Sequence, residues 1–270
     1  MSVPSTSRTK EECRRVFEFA REYLLSFKGV SADLLDRHLN NWKTRKPESM
    51  NELLLAVLSS SSNRRNVIRS IGDISSLGPL IFEFDPTRIL EEYNADWQSL
   101  FRDIQASYKP PGRMLITNRH NYWVIFSKSI LSSSKFLSGF SSIAEFDEFV
   151  SQFYLNEYTR VALPLLLEKE IFGLGFATAC DFLKENGYPK FAKPDVHIKA
   201  IFNGLGLSSS TSDYEVFKDV IRFSDAIDQV PYVVDKMFWL VGSGYFYLND
   251  IRIKTDRASF ILKTMNEFGS

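Results

Sequence analysis

The chain is predicted to fold as an all-α protein. Apolar residues recur at helical spacing almost throughout, Ser/Thr-x-x-Glu helix starts recur, and strand-like alternation is nearly absent. The first stripe shows the pattern: Val16, Phe17, Ala20, Tyr23, Leu24 and Phe27 lie on one helical face.

Helix starts are marked by Thr9 before Glu12, Ser49 before Glu52, Ser142 before Glu145 and Ser212 before Glu215. In each, two side chains can satisfy backbone donors that have no partner inside the helix. Asp85-Pro86 is another start, with Asp as N-cap and Pro at the first helical position. The spacing predicts helices over 10–27, 32–43, 50–60, 64–72, 86–94, 95–106, 119–131, 143–155, 159–171, 176–186, 196–204, 213–223, 231–241 and 256–267. The longer breaks are Gly72–Phe84, Ser107–Asn118 and Asn186–Pro194, and no internal repeat is seen.

The 33 basic and 33 acidic residues of this 270-residue chain cancel. That balance argues against a tail-driven, histone-like nucleic-acid binder. It leaves open a binder with asymmetric charge, or one that grips phosphates with backbone N–H groups. Cys13 and Cys180 are the only cysteines. They are too few for a four-cysteine iron–sulfur or zinc site, and they suggest no disulfide framework. Met1–Lys10 lacks the apolar core of a signal peptide, and no run approaches the ~20 apolar residues of a membrane span. The expected location is cytoplasmic and nucleoid-associated in a bacterium, nuclear in a eukaryote.

Two segments carry chemistry. In the first, a helical stretch runs into Ile171-Phe172-Gly173-Leu174-Gly175 and a second helix follows at once. Glycine permits positive φ and close backbone approach, and free N–H groups at the start of the second helix make a seat for phosphate. Taken alone, Gly-x-Gly between helices is more often only a turn. The second segment, Lys193-Pro194-Asp195-Val196-His197-Ile198, opens another helix. Here Asp195 stands at an N-cap position, and an ordinary cap is its simplest role.

Together the segments resemble the helix-hairpin-helix DNA glycosylase superfamily, that of endonuclease III, the adenine and oxoguanine glycosylases and the inducible 3-methyladenine glycosylase. Those proteins carry a Leu-Pro-Gly-Val-Gly-type hairpin and then a Val-Asp-x-His-type turn with the catalytic aspartate. Ala177 and Asp195 stand eighteen residues apart, the separation expected between the family's lysine position and its aspartate. Upstream, Asn51-Glu-Leu-Leu-Leu-Ala-Val-Leu-Ser-Ser60 resembles the Glu-Leu-Leu-Ile-Ala-Val-Leu-Leu-Ser helix of the endonuclease III group. The resemblance covers roughly residues 48 to 245.

The resemblance implies two helical lobes, a helix-hairpin-helix motif and an interlobe cleft that binds DNA. It places 48–155 in one lobe and 13–47 with 156–270 in the other, after a flexible 1–12. Asp195 is the implied catalytic carboxylate, hydrolysing the N-glycosidic bond of a flipped base in double-stranded DNA and leaving an abasic site. Implied DNA contacts are Gly173, Gly175, Phe176, Ala177 and Thr178 at the hairpin, and Ser62, Asn63, Arg64 and Arg65 after the upstream helix. The base pocket is expected among Phe176, Met237, Phe238 and Trp239, each of which also reads as core. A Na or K ion between a phosphate and the carbonyls of Lys169, Ile171 and Leu174 is implied, with no other cofactor. The expected partner is damaged or modified duplex DNA, met by a monomer with no membrane attachment.

Four departures from the family stand out, and the first two matter most. Ala177 stands where bifunctional members carry a lysine nucleophile, so no Schiff base can form there. The iron–sulfur cysteines are missing. Phe172 replaces the usual proline, and Ser62 the glutamine that enters the DNA helix. His197 is read as a packing or capping residue. Two other readings stand beside the glycosylase: a non-catalytic DNA-binding scaffold on the same fold, and a helical protein-interaction domain.

Overall fold

A computed structural model describes residues 8–61, 64–112 and 114–268, with the side chain of residue 64 left out. The protein is all-α, as its periodicity predicts. Its helices are α1 (Lys10–Leu25), α2 (Ala32–Leu39), α3 (Met50–Ser60), α4 (Arg64–Ile71), α5 (Pro86–Tyr93), α6 (Trp97–Tyr108), α7 (Tyr122–Leu137), α8 (Ile143–Ser151), α9 (Glu157–Glu170), α10 (Phe176–Glu185), α11 (Val196–Gly204), α12 (Asp213–Ala226), α13 (Pro231–Ser243) and α14 (Arg257–Phe268). Short 3-10 turns lie at Asn41–Thr44, Ser75–Leu77 and Phe82–Phe84. Among the described residues the only sheet is the antiparallel pair β1 (Tyr245–Phe246) and β2 (Ile251–Arg252), with Tyr245 opposite Arg252.

The caps explain most boundaries. Thr9 forms a complete capping box with Glu12. Ser49 and Ser142 accept from Glu52 N–H and Glu145 N–H, but each glutamate reaches back one residue further, to Glu48 N–H and Ser141 N–H. Asp85 caps Pro86 as expected, accepting from Thr87 and Arg88 N–H. Ser212 makes no side-chain cap bond. The predicted helix 32–43 ends at Leu39 and passes into the 3-10 turn. The helix predicted over 119–131 runs on to Leu137, because Ser133 and Ser134 are buried small residues inside it rather than a break.

The chain divides into two compact units. One holds the described residues of 1–46, 156–161 and 183–270; the other holds 47–155 and 162–182. The sequence boundary at 156 differs from this division, which carries Ala162–Phe182 with the second unit. The division crosses α9 between Val161 and Ala162, three residues before Pro164, which lacks the N–H that would bond the Arg160 carbonyl.

In the first unit α13 is the central helix, packed against α1, α2, α11, α12 and α14. Its Tyr232, Val234, Met237, Phe238, Leu240 and Val241 are fully buried. From α1 come Cys13, Val16, Ala20 and Leu24, one stripe at helical spacing. His38 ties α2 to the strand pair: its Nδ1 lies 2.8 Å from the Leu34 carbonyl and its Nε2 accepts from Leu248 N–H. Burial pushes the His38 imidazole below its ordinary pKa. In the second unit α7 is central, packed against α3, α4, α5 and α6.

Candidate active-site residues

Asp195 lies in the first unit, at the entry to α11. Its extended backbone (φ −81°, ψ −178°) is that of an N-cap. The approach is a tight turn over buried Pro194, closed by Asp195 N–H donating to the Lys193 carbonyl at 2.8 Å. Oδ1 accepts from His197 N–H at 2.8 Å and from Ile198 N–H at 3.0 Å. Oδ2 has no hydrogen-bond donor among the described residues. The side chain is half-buried beside exposed Val196. One oxygen therefore serves the helix, and the other stands without a donor among the described residues, at the positive end of the α11 dipole.

The His197 ring lies flat against α13. A Cβ added at Gly242 would meet His197 Cβ and Nδ1 at 2.7 Å, so glycine is required for this approach. His197 also stands edge-on to Trp239 at 6.5 Å. Its Nδ1 is buried without a hydrogen-bond partner. Next to the ring is an open depression of about 390 Å³ bounded by His197, Gly242, Thr255, Asp256, Arg257 and Ala258.

Behind the Asp195 turn is an ionic network that the sequence reading did not single out. Asp235, 1% exposed, accepts the Lys193 N–H at 2.5 Å through Oδ2 and pairs with Lys184 Nζ at 3.1 Å through Oδ1. Lys184 also meets Glu185 at 2.7 Å, and Glu185 meets Lys236 at 2.8 Å. Lys236 Nζ donates to Tyr247 Oη at 3.2 Å and sits over the rings of Tyr232, Trp239 and Tyr247. Burial pushes the Glu185 carboxyl up, but the two lysines outweigh it and hold the group far below the usual carboxylate range. For Asp235 burial wins: its carboxyl is raised, with Lys184 pulling against the shift and Asp195 adding to it. A signal for this network was present. Asp235-Lys236 interrupts the otherwise apolar run Pro231–Val241, and charges that deep are retained only when paired.

Of the expected base-pocket residues, Met237 and Phe238 belong to the core of the first unit with no exposed surface. Trp239 is partly buried, against Lys236, His197 and Tyr247.

The glycine turn lies in the second unit, between α9 and α10. Gly173 takes φ +80°, and a Cβ there would meet Ile125 Cγ2 at 3.1 Å, so both conformation and space call for glycine. Gly175 is different. Its φ lies outside the left-handed region, and an added Cβ would meet only Thr178 Oγ1, at 3.9 Å. Among the described residues nothing requires glycine there. The Gly175 carbonyl accepts from Thr178 N–H and Oγ1 and from Ala179 N–H. The N–H groups of Gly175 and Ala177 have no acceptor among the described residues. Phe176 is buried, while Phe172 at the tip is 48% exposed. The Ile171 carbonyl accepts from Leu174 N–H at 3.2 Å, which leaves its second lone pair.

Arg65 is exposed. Ser62 and Asn63 lie outside the described residues, as does the side chain of Arg64. Among the described residues no His/Cys/Asp/Glu cluster could hold a metal ion, and no helix is long and apolar enough to cross a membrane.

No family model matches the chain, and no curated protein matches it. Among solved structures the chain is similar to the 8-oxoguanine glycosylase/lyase of Methanocaldococcus jannaschii in complex with a 15mer DNA containing 8-oxoguanine, with 16% identity, 84% of this chain and 96% of that chain covered, and a TM-score of 0.46.

Proposed function

We propose that this protein is a monofunctional DNA glycosylase, acting as a monomer on double-stranded DNA that carries a damaged or modified base. The observation that carries the reading is the Asp195 carboxylate on its braced turn: Oδ1 is fixed by two backbone donors, Oδ2 has no donor among the described residues, and the buried Asp235–Lys184 pair holds the Lys193 N–H behind it. Asp85 and Asp256 cap their helices through one oxygen in the same way, so it is the braced turn that sets Asp195 apart from an ordinary cap. Glycosidic cleavage calls for such a carboxylate, because the sugar gains positive charge at C1′ as the bond to the base breaks. A fixed carboxylate stabilises that charge without reorganising.

In the reaction the C1′–N bond breaks and its electrons leave with the base. A water oxygen bonds to C1′, and its proton passes to Asp195 Oδ2. Proton transfer from that oxygen to solvent or to the departing base resets the enzyme. The glycine turn supports the DNA side of the reading, with free Gly175 and Ala177 N–H groups at a helix start and a glycine that the fold itself does not need. The carbonyl oxygens of Lys169, Ile171 and Leu174 would hold an alkali cation, which would supply positive charge beside the turn. Ala177 supplies no amine, so the product is an intact strand with an abasic site.

The test is a panel of duplexes with different base lesions, incubated in single turnover and then cleaved with alkali. Asp195→Asn keeps the cap geometry and loses the charge. We expect excision to fall by ~10²–10³ or more, with affinity for an abasic-site analogue near that of the parent. Excision at the parent rate would reduce Asp195 to a cap. Borohydride added during turnover should trap no covalent adduct, and an efficient adduct would show an amine elsewhere acting as nucleophile.

A further inference from the structure

One stripe of α7 docks the glycine turn. Ile125, Lys128 and Ser132 stand at positions i, i+3 and i+7, on a single helical face. Ile125 Cγ2 would stand 3.1 Å from a Cβ added at Gly173, and Ser132 Oγ accepts the Phe172 N–H at 2.9 Å. Between them is Lys128. Its Nζ stands 4.6 Å from the Trp97 ring centroid and 5.3 Å from that of Phe172. No carboxylate forms an ion pair with it among the described residues. By contrast the buried cations Lys184, Lys218, Lys236 and Arg160 of the first unit are matched by acids.

We infer that Lys128 is a phosphate-binding residue of the glycine turn, its ammonium held in place by Trp97 and Phe172. The inference rests on the DNA-binding reading above. Ring faces attract a cation without neutralising it, so Lys128 keeps a full charge available to an anion. The two ring faces hold the ammonium at the turn, which lowers the entropy lost when it meets a ligand. The turn that Lys128 adjoins also holds the unbonded N–H groups of Gly175 and Ala177, donors suited to an anionic oxygen. A DNA phosphodiester combines that negative charge with several acceptor oxygens. Phe172, where the resembling proteins have proline, acquires a purpose: it is the exposed half of the clamp.

Binding of the full chain to a duplex containing an abasic-site analogue, measured across salt concentrations, tests this. Lys128→Met keeps the apolar stem on the rings and removes only the charge. The slope of log Kobs against log salt should become shallower by about 0.9, the value for one phosphate contact on duplex DNA. Lys128→Arg should restore the slope. Phe172→Leu keeps the charge, so it should retain the slope while lowering affinity a few-fold. Equal slopes for parent and Lys128→Met overturn this inference alone, whereas absence of DNA binding by the parent overturns it together with the glycosylase reading. A thermal melt of Lys128→Met matching the parent separates lost charge from lost fold.

Discussion

At Gly242 the backbone of α13 lies flush with the His197 ring, two residues beyond Asp195. This contact sets how closely the start of α11 can approach α13, and hence where the Asp195 carboxylate stands. Gly242→Ala would place a methyl at 2.7 Å from the His197 ring, a separation real Cβ atoms do not show. The ring cannot yield inward, because α13 is its floor, so the α11 entry must shift. Overpacking of this kind costs ~1–3 kcal/mol. Excision should fall further than stability, since a displacement near 1 Å at a catalytic group can cost ~10² in rate. Denaturant unfolding alongside single-turnover rates would check this. A variant that melts like the parent and cuts like the parent would show that the contact does not position Asp195. Asp195 itself was legible, because an N-cap aspartate before Val-x-Ile is a local pattern. The role of Gly242 was not legible, because it depends on a helix 45 residues away in the chain arriving at one face of α13.

At the scale of elements, α10 and α13 meet through charge. Glu185 at the end of α10 is held ionised by Lys184 and Lys236. Its folded-state pKa is lowered, so its contribution is present above the ordinary value of 4.5 and is lost as pH falls toward the folded value. Asp235 acts with the opposite sign. Its pKa is raised above 3.8, so it opposes folding at neutral pH and that opposition fades on acidification. Removing Glu185 leaves Lys236 buried without a carboxylate, which for such pairs costs ~3–5 kcal/mol. Glu185→Gln should therefore unfold at clearly lower urea than the parent at pH 7. The gap should narrow as pH drops below 4.5, where the unfolded parent takes up a proton that the folded parent resists. A gap independent of pH would mean that packing, not charge, joins these helices. Helix existence was largely legible here because periodicity is local. The network was not assembled from sequence, because Lys184-Glu185 and Asp235-Lys236 are separated by about fifty residues. The helix expected over 119–131 stopped short of Leu137 for a related reason. Serine reads as a break unless its burial inside α7 is known.

At the scale of the whole molecule, the unit that carries Asp195 is assembled from distant pieces of chain. Its central helix α13 is covered on one side by α1, which arrives from the other end of the sequence. Val16, Ala20 and Leu24 are fully buried, and Phe17 stands edge-on to Phe238 at 6.5 Å. Phe19 and Tyr23 add contacts with Phe260 of α14. Full burial of a large apolar side chain contributes ~1.5–3 kcal/mol, and the whole stability of a typical domain is ~5–15 kcal/mol. The contacts of this one helix are thus comparable to the margin that keeps the unit folded. Deleting residues 1–27 should expose the core around Phe238 and Phe260, raise binding of a hydrophobic dye and abolish excision. Residues 1–46 belong to the first unit, so the second should keep its helical signal and a cooperative melt of its own. Differential scanning calorimetry would separate these outcomes: loss of one transition with retention of the other is expected. Retention of every transition with full excision would show that α1 is an accessory helix and that the unit carrying Asp195 closes without it.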